Sequence, residues 1–190
     1  MALTRTAHAC VTQALQPIVQ ANAPCVALDA TCGNGNDTLF LLQLGVTQVI
    51  GFDLQQEAIA QTKQRCQAFV PPRLILHQCG HEHLGQHIPN TIHCAMFNLG
   101  YLPHADSAII TQTETTLSAI QQAYEALAPG GIMSILCYRG HGGGPEETAA
   151  VSSQLDELSR PKNFTLTRYD ANSATEQTPV LFILQHHELA

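Results

Sequence analysis

The chain has 190 residues, 45% of them hydrophobic, a length that fits one domain over residues 1–190 with a full core. Eight Lys and Arg against 15 Asp and Glu give a formal net charge of −7, which argues against non-specific nucleic-acid binding and leaves only a local basic patch for a structured RNA. No apolar stretch reaches the roughly 18 residues of a membrane span, the first residues lack the form of a signal peptide, and seven cysteines without a C-x-x-C pair read as buried thiols of a cytoplasmic protein.

Apolar Leu3, Ala7, Val11, Leu15 and Ile18 predict a helix over 4–21, with Pro17 disturbing its last turn. A strand over 25–28 then runs into a glycine loop, and a helix leaves that loop to end near Leu44, with Gly45 as its stop. Val46 to Asp53 reads as the second strand, Gln55 to Ala68 as a helix stopped by Pro71-Pro72, and Leu74 to Leu76 as a short third strand. After the polar run His77 to His87 comes a fourth strand over 92–97. A helix over 111–127 is closed by Pro129-Gly130-Gly131, a fifth strand covers 132–137, and Pro145 opens a helix that ends at Leu158. Phe164 to Tyr169 and Val180 to Leu184 finish the chain as two strands. Five strand–helix alternations predict an α/β fold with a mostly parallel sheet covered on both faces, and the last two strands an antiparallel hairpin at its edge. That seven-strand layout, with an extra N-terminal helix, is the Rossmann-like arrangement of class I methyltransferases.

The loop Asp29-Ala-Thr-Cys-Gly-Asn-Gly-Asn-Asp-Thr38 is the first candidate site, because ligands of such folds bind where loops leave the carboxyl ends of parallel strands. Asp29 and Asp37 would repel the pyrophosphate of a dinucleotide but attract the ammonium and sulfonium of S-adenosyl-L-methionine (SAM), and Thr38 stands where a dinucleotide loop has its third glycine. In this reading the Asp29 carboxylate lies near the methionine ammonium, and Gly33 and Gly35 let the backbone approach the cofactor. Thr31 replaces the first glycine of the usual methyltransferase loop, so the chain must turn differently there, with the hydroxyl free to bond a neighbouring amide.

Asp53, 20 residues after Gly33 and beside Gln55, is placed either to accept the ribose hydroxyls or to cap the next helix. The histidines at 77, 81, 83 and 87 with Cys79 have the wrong spacing for zinc, so no metal is expected. His81 or Glu82 instead suits the adenine contact that follows the third strand. Asn98-Leu-Gly-Tyr101 stands where amino-methylating enzymes of this fold carry an Asn- or Asp-Pro-Pro-Tyr turn. Asn98 is placed to contact the cofactor as well as the substrate: its oxygen can accept amine hydrogens and aim a nitrogen lone pair, and Tyr101 can stack on an extruded base. The glycine-rich run from Gly140 to Glu147 suits a lid over the substrate better than an anion site, with His141 as a candidate base.

Taken together, Asp29-Ala-Thr-x-Gly-Asn-Gly-x-Asp-Thr38, Asn98-Leu-Gly-Tyr-Leu-Pro103 with Asp106, and Tyr138-x-Gly-His-x-Gly-Gly-x-x-Glu147 resemble the MnmM family, small bacterial proteins long labelled "putative rRNA methylases". The resemblance implies a SAM-dependent tRNA methyltransferase acting on the amine of 5-aminomethyl-2-thiouridine at the wobble position, with the tRNA anticodon region as partner. It implies a cofactor loop of Asp29, Gly33, Asn34, Gly35, Asn36, Asp37 and Thr38, and a substrate side of Asn98 to Pro103 with Asp106. Asp106 or His141 is then the acceptor of the amine's proton. The chain departs from the family's Gly-Asp-Lys at Ala105-Asp106-Ser107, losing a glycine and a lysine. Other readings are an rRNA base methyltransferase, a small-molecule N-methyltransferase and a SAM-binding RNA module without catalysis. A homodimer is left open.

Overall fold

The computed structural model describes residues 2–69, 71–100, 111–171, 175 and 177–188. Seven strands form one sheet: β1 (Val26–Asp29), β2 (Gln48–Asp53), β3 (Leu74–Gln78), β4 (Ile92–Leu99), β5 (Leu127–Cys137), β6 (Phe164–Asp170) and β7 (Val180–His186). Their order is β3-β2-β1-β4-β5-β7-β6, parallel except for β7, which runs antiparallel to both β5 and β6. The expected closing hairpin is thus β6–β7, with β7 inserted beside β5.

Alternation along the strands sorts the core onto two faces. Cys94 and Met96 of β4, Ile132 and Leu136 of β5, and Leu181 and Ile183 of β7 pack with Ala7, Val11 and Leu15 of α1 (Ala2–Gln20) and Leu41 and Leu42 of α2 (Asn36–Leu44). Ala95, Phe97 and Leu99, then Met133 and Ile135, then Phe182 and Leu184 face α4 (Thr113–Ala126) and α5 (Gly144–Leu158) on the other side. α3 (Gln56–Arg65) buries Ala58 and Thr62 and links β2 to β3.

Several expected boundaries move, each for a local reason. α1 runs through Pro17 to Gln20, and the chain turns only at Asn22, whose φ is 51°. α3 stops at Arg65 rather than Ala68, where the buried Cys66 leaves helical geometry and a turn begins. β5 starts at Leu127 and takes in Pro129-Gly130-Gly131, because Leu127 already pairs with Ile92 before the register shifts and resumes at Cys94 and Ile132. Gly130, at φ 79°, supplies the irregularity that permits this. β3 extends to Gln78, and His81–Gln86 of the polar run forms a 3₁₀ helix. β4 carries on to Leu99, which places Asn98 on the strand. α5 opens at Gly144, one residue before Pro145.

Strand order reverses between β1 and β4, and at such a switch point the loops leaving neighbouring strands diverge and open a crevice. Every motif singled out in the sequence leaves a strand on that edge or follows it. Among the described residues no helix is long and apolar enough to cross a membrane.

Candidate active site

The diverging loops enclose a cleft of about 700 Å³. Thr31, Gly33, Asn34, Asn36 and Asp37 line it after β1, Asp53 at the end of β2 with Gln55 after it, His81 and Glu82 after β3, and Asn98 near the end of β4 with Gly100 after it. Tyr138, Arg139 and Gly140 close it after β5, with Thr111, Gln112 and Thr115 at the start of α4, Gln177, and Thr4 from α1.

Three loop residues fall elsewhere than the sequence reading puts them. Asp29 is fully buried and does not line the cleft; its Oδ2 accepts the Thr38 hydroxyl at 2.5 Å and its Oδ1 the Thr31 N–H at 3.3 Å. It fastens the loop from behind, in place of the outward carboxylate expected beside an ammonium. Thr38 is buried with it. Gly35 takes φ 74° beside α3, where a Cβ would stand 2.8 Å from the Thr62 Cα, so its glycine serves loop–helix packing and not approach from the cleft. Burial, and next the charge of Asp37, raise the Asp29 carboxyl to about 7.

Thr31 turns the chain without positive φ, and its hydroxyl accepts the Asn98 N–H at 2.7 Å. This is the bond to a neighbouring amide that replacing a glycine by threonine made available. Asn98 is held a second time, its Nδ2 donating to Asp37 Oδ2 at 2.7 Å. Among the described residues none donates to its Oδ1. Asp53 Oδ1 accepts the Gln55 N–H and Oδ2 the Gly33 N–H, each at 2.9 Å; it caps no amide of α3, and the residue lines the cleft. Burial raises its pKa.

His81 is 9% exposed and packs edge-on against Phe97, and its Nε2 has no partner among the described residues. Burial lowers its pKa. His77 and His87 stack on each other at 4.2 Å, away from the cleft lining, and no group of three or more metal-ligating side chains forms among the described residues.

His141 does not line the cleft; its ring lies against Gly100 and Gly144. Tyr101, Leu102, Pro103 and Asp106 lie outside the described residues. The sequence reading missed Arg139, the one Arg or Lys among the lining residues, whose Nε is buried with no partner among the described residues. It also missed Thr4 and His8 of α1, whose contacts depend on how the helix lies across the sheet and leave no local signal.

Residues 49–185 match the family described as "Putative rRNA methylase". The chain belongs to this family. With it, the chain is placed among class I SAM-dependent methyltransferases. A "putative rRNA-methylase" from Clostridium thermocellum is 37% identical, with 85% of this chain and 88% of that one covered and a TM-score of 0.79. A "putative methyltransferase" from Streptococcus mutans, solved with S-adenosylhomocysteine, is 32% identical over 96% of this chain and 97% of that one, with a TM-score of 0.82. The chloroplastic tRNA (mnm(5)s(2)U34)-methyltransferase of Arabidopsis thaliana is 38% identical over 139 residues, 66% of this chain. The chain spans about half, 51%, of the length of that curated relative.

Asp29 sets a pH dependence of stability. An acid held near 7 in the native state, against 3.8 ordinarily, binds more protons folded than unfolded, so its contribution to stability falls as pH rises from about 4 through about 7. Asp29→Asn removes that slope. Urea unfolding across this range should show the wild type losing stability towards neutral pH relative to the variant.

Proposed function

We propose that the protein is a SAM-dependent tRNA methyltransferase that methylates the primary amine of 5-aminomethyl-2-thiouridine at wobble position 34, giving 5-methylaminomethyl-2-thiouridine. The observation that carries this reading is Asn98 at the end of β4, anchored through its backbone and its Nδ2 with Oδ1 left for the cleft. The tRNA relative from Arabidopsis supports the substrate class. Residues 1–190 act in this reading as one methyltransferase domain.

The residues present fit the cofactor. Asp53 retains lone pairs beyond its two backbone bonds and suits two ribose hydroxyls, with Gln55 beside it. His81, with a buried ring nitrogen lacking a partner among the described residues, suits an adenine contact, with Glu82 adjacent. Thr31, Gly33, Asn34, Asn36 and Asp37 form the wall along the methionine part, with Asp29, Gly35 and Thr38 shaping it from behind. When bound, the cofactor supplies a methyl group on a cationic sulfonium, and Asp37, Asp53 and Glu82 make the cleft favourable to positive charge.

Asn98 Oδ1 accepts a hydrogen of the acceptor amine and so directs its lone pair. An alkylamine is protonated at neutral pH, and Asp106 takes that proton in this reading, His141 being set back from the cleft lining against Gly100 and Gly144. Tyr101 provides the stacking surface for the extruded base. Arg139, cationic on the cleft wall and without a carboxylate partner among the described residues, suits a phosphate of the RNA. It gives an acidic protein the local positive contact that a tRNA substrate requires.

Nucleoside mass spectrometry of tRNA from a strain lacking the protein should show the unmethylated aminomethyl nucleoside accumulating and the methylated one lost. An unchanged profile contradicts the proposal. In vitro, Arg139→Ala should raise the KM for tRNA about five- to tenfold, as loss of one charge-assisted phosphate contact implies, and leave SAM affinity unaltered.

A further inference from the structure

His8 enters the site from α1, outside every loop motif. Its ring stacks on Phe40 with centroids 3.8 Å apart and planes within 1°, and its Nε2 lies 2.6 Å from Asp37 Oδ1. Asp37 and Phe40 stand about one turn apart on α2, so α2 holds the imidazole by both its face and its edge. The other carboxylate oxygen, Oδ2, accepts the Asn98 Nδ2–H at 2.7 Å. His8, Asp37 and Asn98 therefore form one continuous chain from α1 through α2 to the end of β4.

A carboxylate only accepts, so both groups facing Asp37 must be donors. That makes His8 Nε2 the donor and turns the Asn98 amide with its NH₂ towards Asp37. The two ends of an asparagine amide are nearly the same shape, so packing alone does not choose between its two orientations; the hydrogen-bond partners do. Asp37 makes that choice, and its own rotation is fixed by His8, because with both oxygens engaged the carboxylate has one orientation. The Asp37 side chain is only 8% exposed, so solvent is a poor substitute for the His8 donor.

We propose that His8 is a positioning residue of the transfer site: it holds the Asp37 carboxylate, which in turn fixes the Asn98 amide with Oδ1 presented to the acceptor amine. The functional half of this statement rests on the reading of Asn98 given above; the orienting half concerns this chain alone. α1 thereby becomes part of the catalytic apparatus. Its Thr4, one turn of helix before His8, lines the same cleft as Tyr138.

Two variants separate positioning from packing. His8→Ala removes the donor, whereas His8→Gln places an amide N–H near the position of Nε2. In the ¹⁵N-labelled full-length protein the Asn98 side-chain NH₂ signals, identified by their loss in Asn98→Asp, should be shifted and slow to exchange with water. In His8→Ala their exchange should accelerate at least about tenfold, the effect of losing one buried hydrogen bond, and in His8→Gln it should return to within about threefold of wild type. The kcat for methyl transfer should follow the same order, about tenfold down in the alanine variant and restored by glutamine. Unchanged Asn98 signals in His8→Ala overturn the proposal, as does a kcat loss that glutamine does not restore. If the wild type methylates no aminomethyl nucleoside, the functional reading falls while the amide signals still decide whether His8 orients Asn98.

Discussion

The site depends on two hydrogen bonds that cross from the β1–α2 loop to the end of β4. Thr31 takes the Asn98 backbone N–H, and Asp37 takes its side-chain N–H. β1 and β4 are neighbours in the sheet, yet at the switch point their outgoing loops separate: backbone pairing ends with the Ala30 N–H on the Met96 carbonyl, two residues short of Asn98, and does not itself join Asn98 to the glycine loop. The two bonds supply that connection. Each is partly buried, and leaving such a donor without an acceptor costs on the order of 1–3 kcal/mol. Loop and strand end are therefore joined at the cleft wall.

The same loop concentrates negative charge. Asp37 and Asp53 both act electrostatically on Asp29, and each of the three is held differently. Asp29 is buried behind the loop, where its carboxyl is easily kept protonated and two local donors hold it. Asp53 spreads its charge over the Gly33 and Gln55 amides. Asp37 is clamped between His8 and Asn98. An anionic pyrophosphate would meet unfavourable charge here, whereas a cationic sulfonium and an ammonium would not. Arg139, after β5, is the one Arg or Lys among the described lining residues.

Much of this was legible in the chain. The alternating apolar runs predicted the sheet, its edge hairpin and its covering helices, because periodicity reports burial directly. Glycines and acids at strand ends marked the cleft, since residues there have few structural reasons to recur in that pattern. What escaped was direction. Asp29 and Asp37 are alike in sequence, and only the fold turns one inward and the other to the cleft. Gly35 looked like a residue cleared for a ligand, but the neighbour that requires it is Thr62 of α3, 27 positions away. His8 and Arg139 carried no motif, because a helix crossing the sheet and a side chain on a strand's outgoing loop become site residues only through tertiary placement. The strand boundary after Ala126 failed for a further reason: pairing with β4 overrode the turn chemistry of Pro129-Gly130-Gly131.

The central claim is that Asn98 is the pivot of transfer and not of cofactor binding. Calorimetric SAM binding and single-turnover methyl transfer to aminomethyl-bearing tRNA, both measured on Asn98→Ala, test it most directly. The account predicts SAM affinity within about threefold of wild type and a transfer rate reduced by about a hundredfold or more, as loss of an orienting group implies. Transfer at the wild-type rate, or a loss explained wholly by weaker SAM binding, would contradict it.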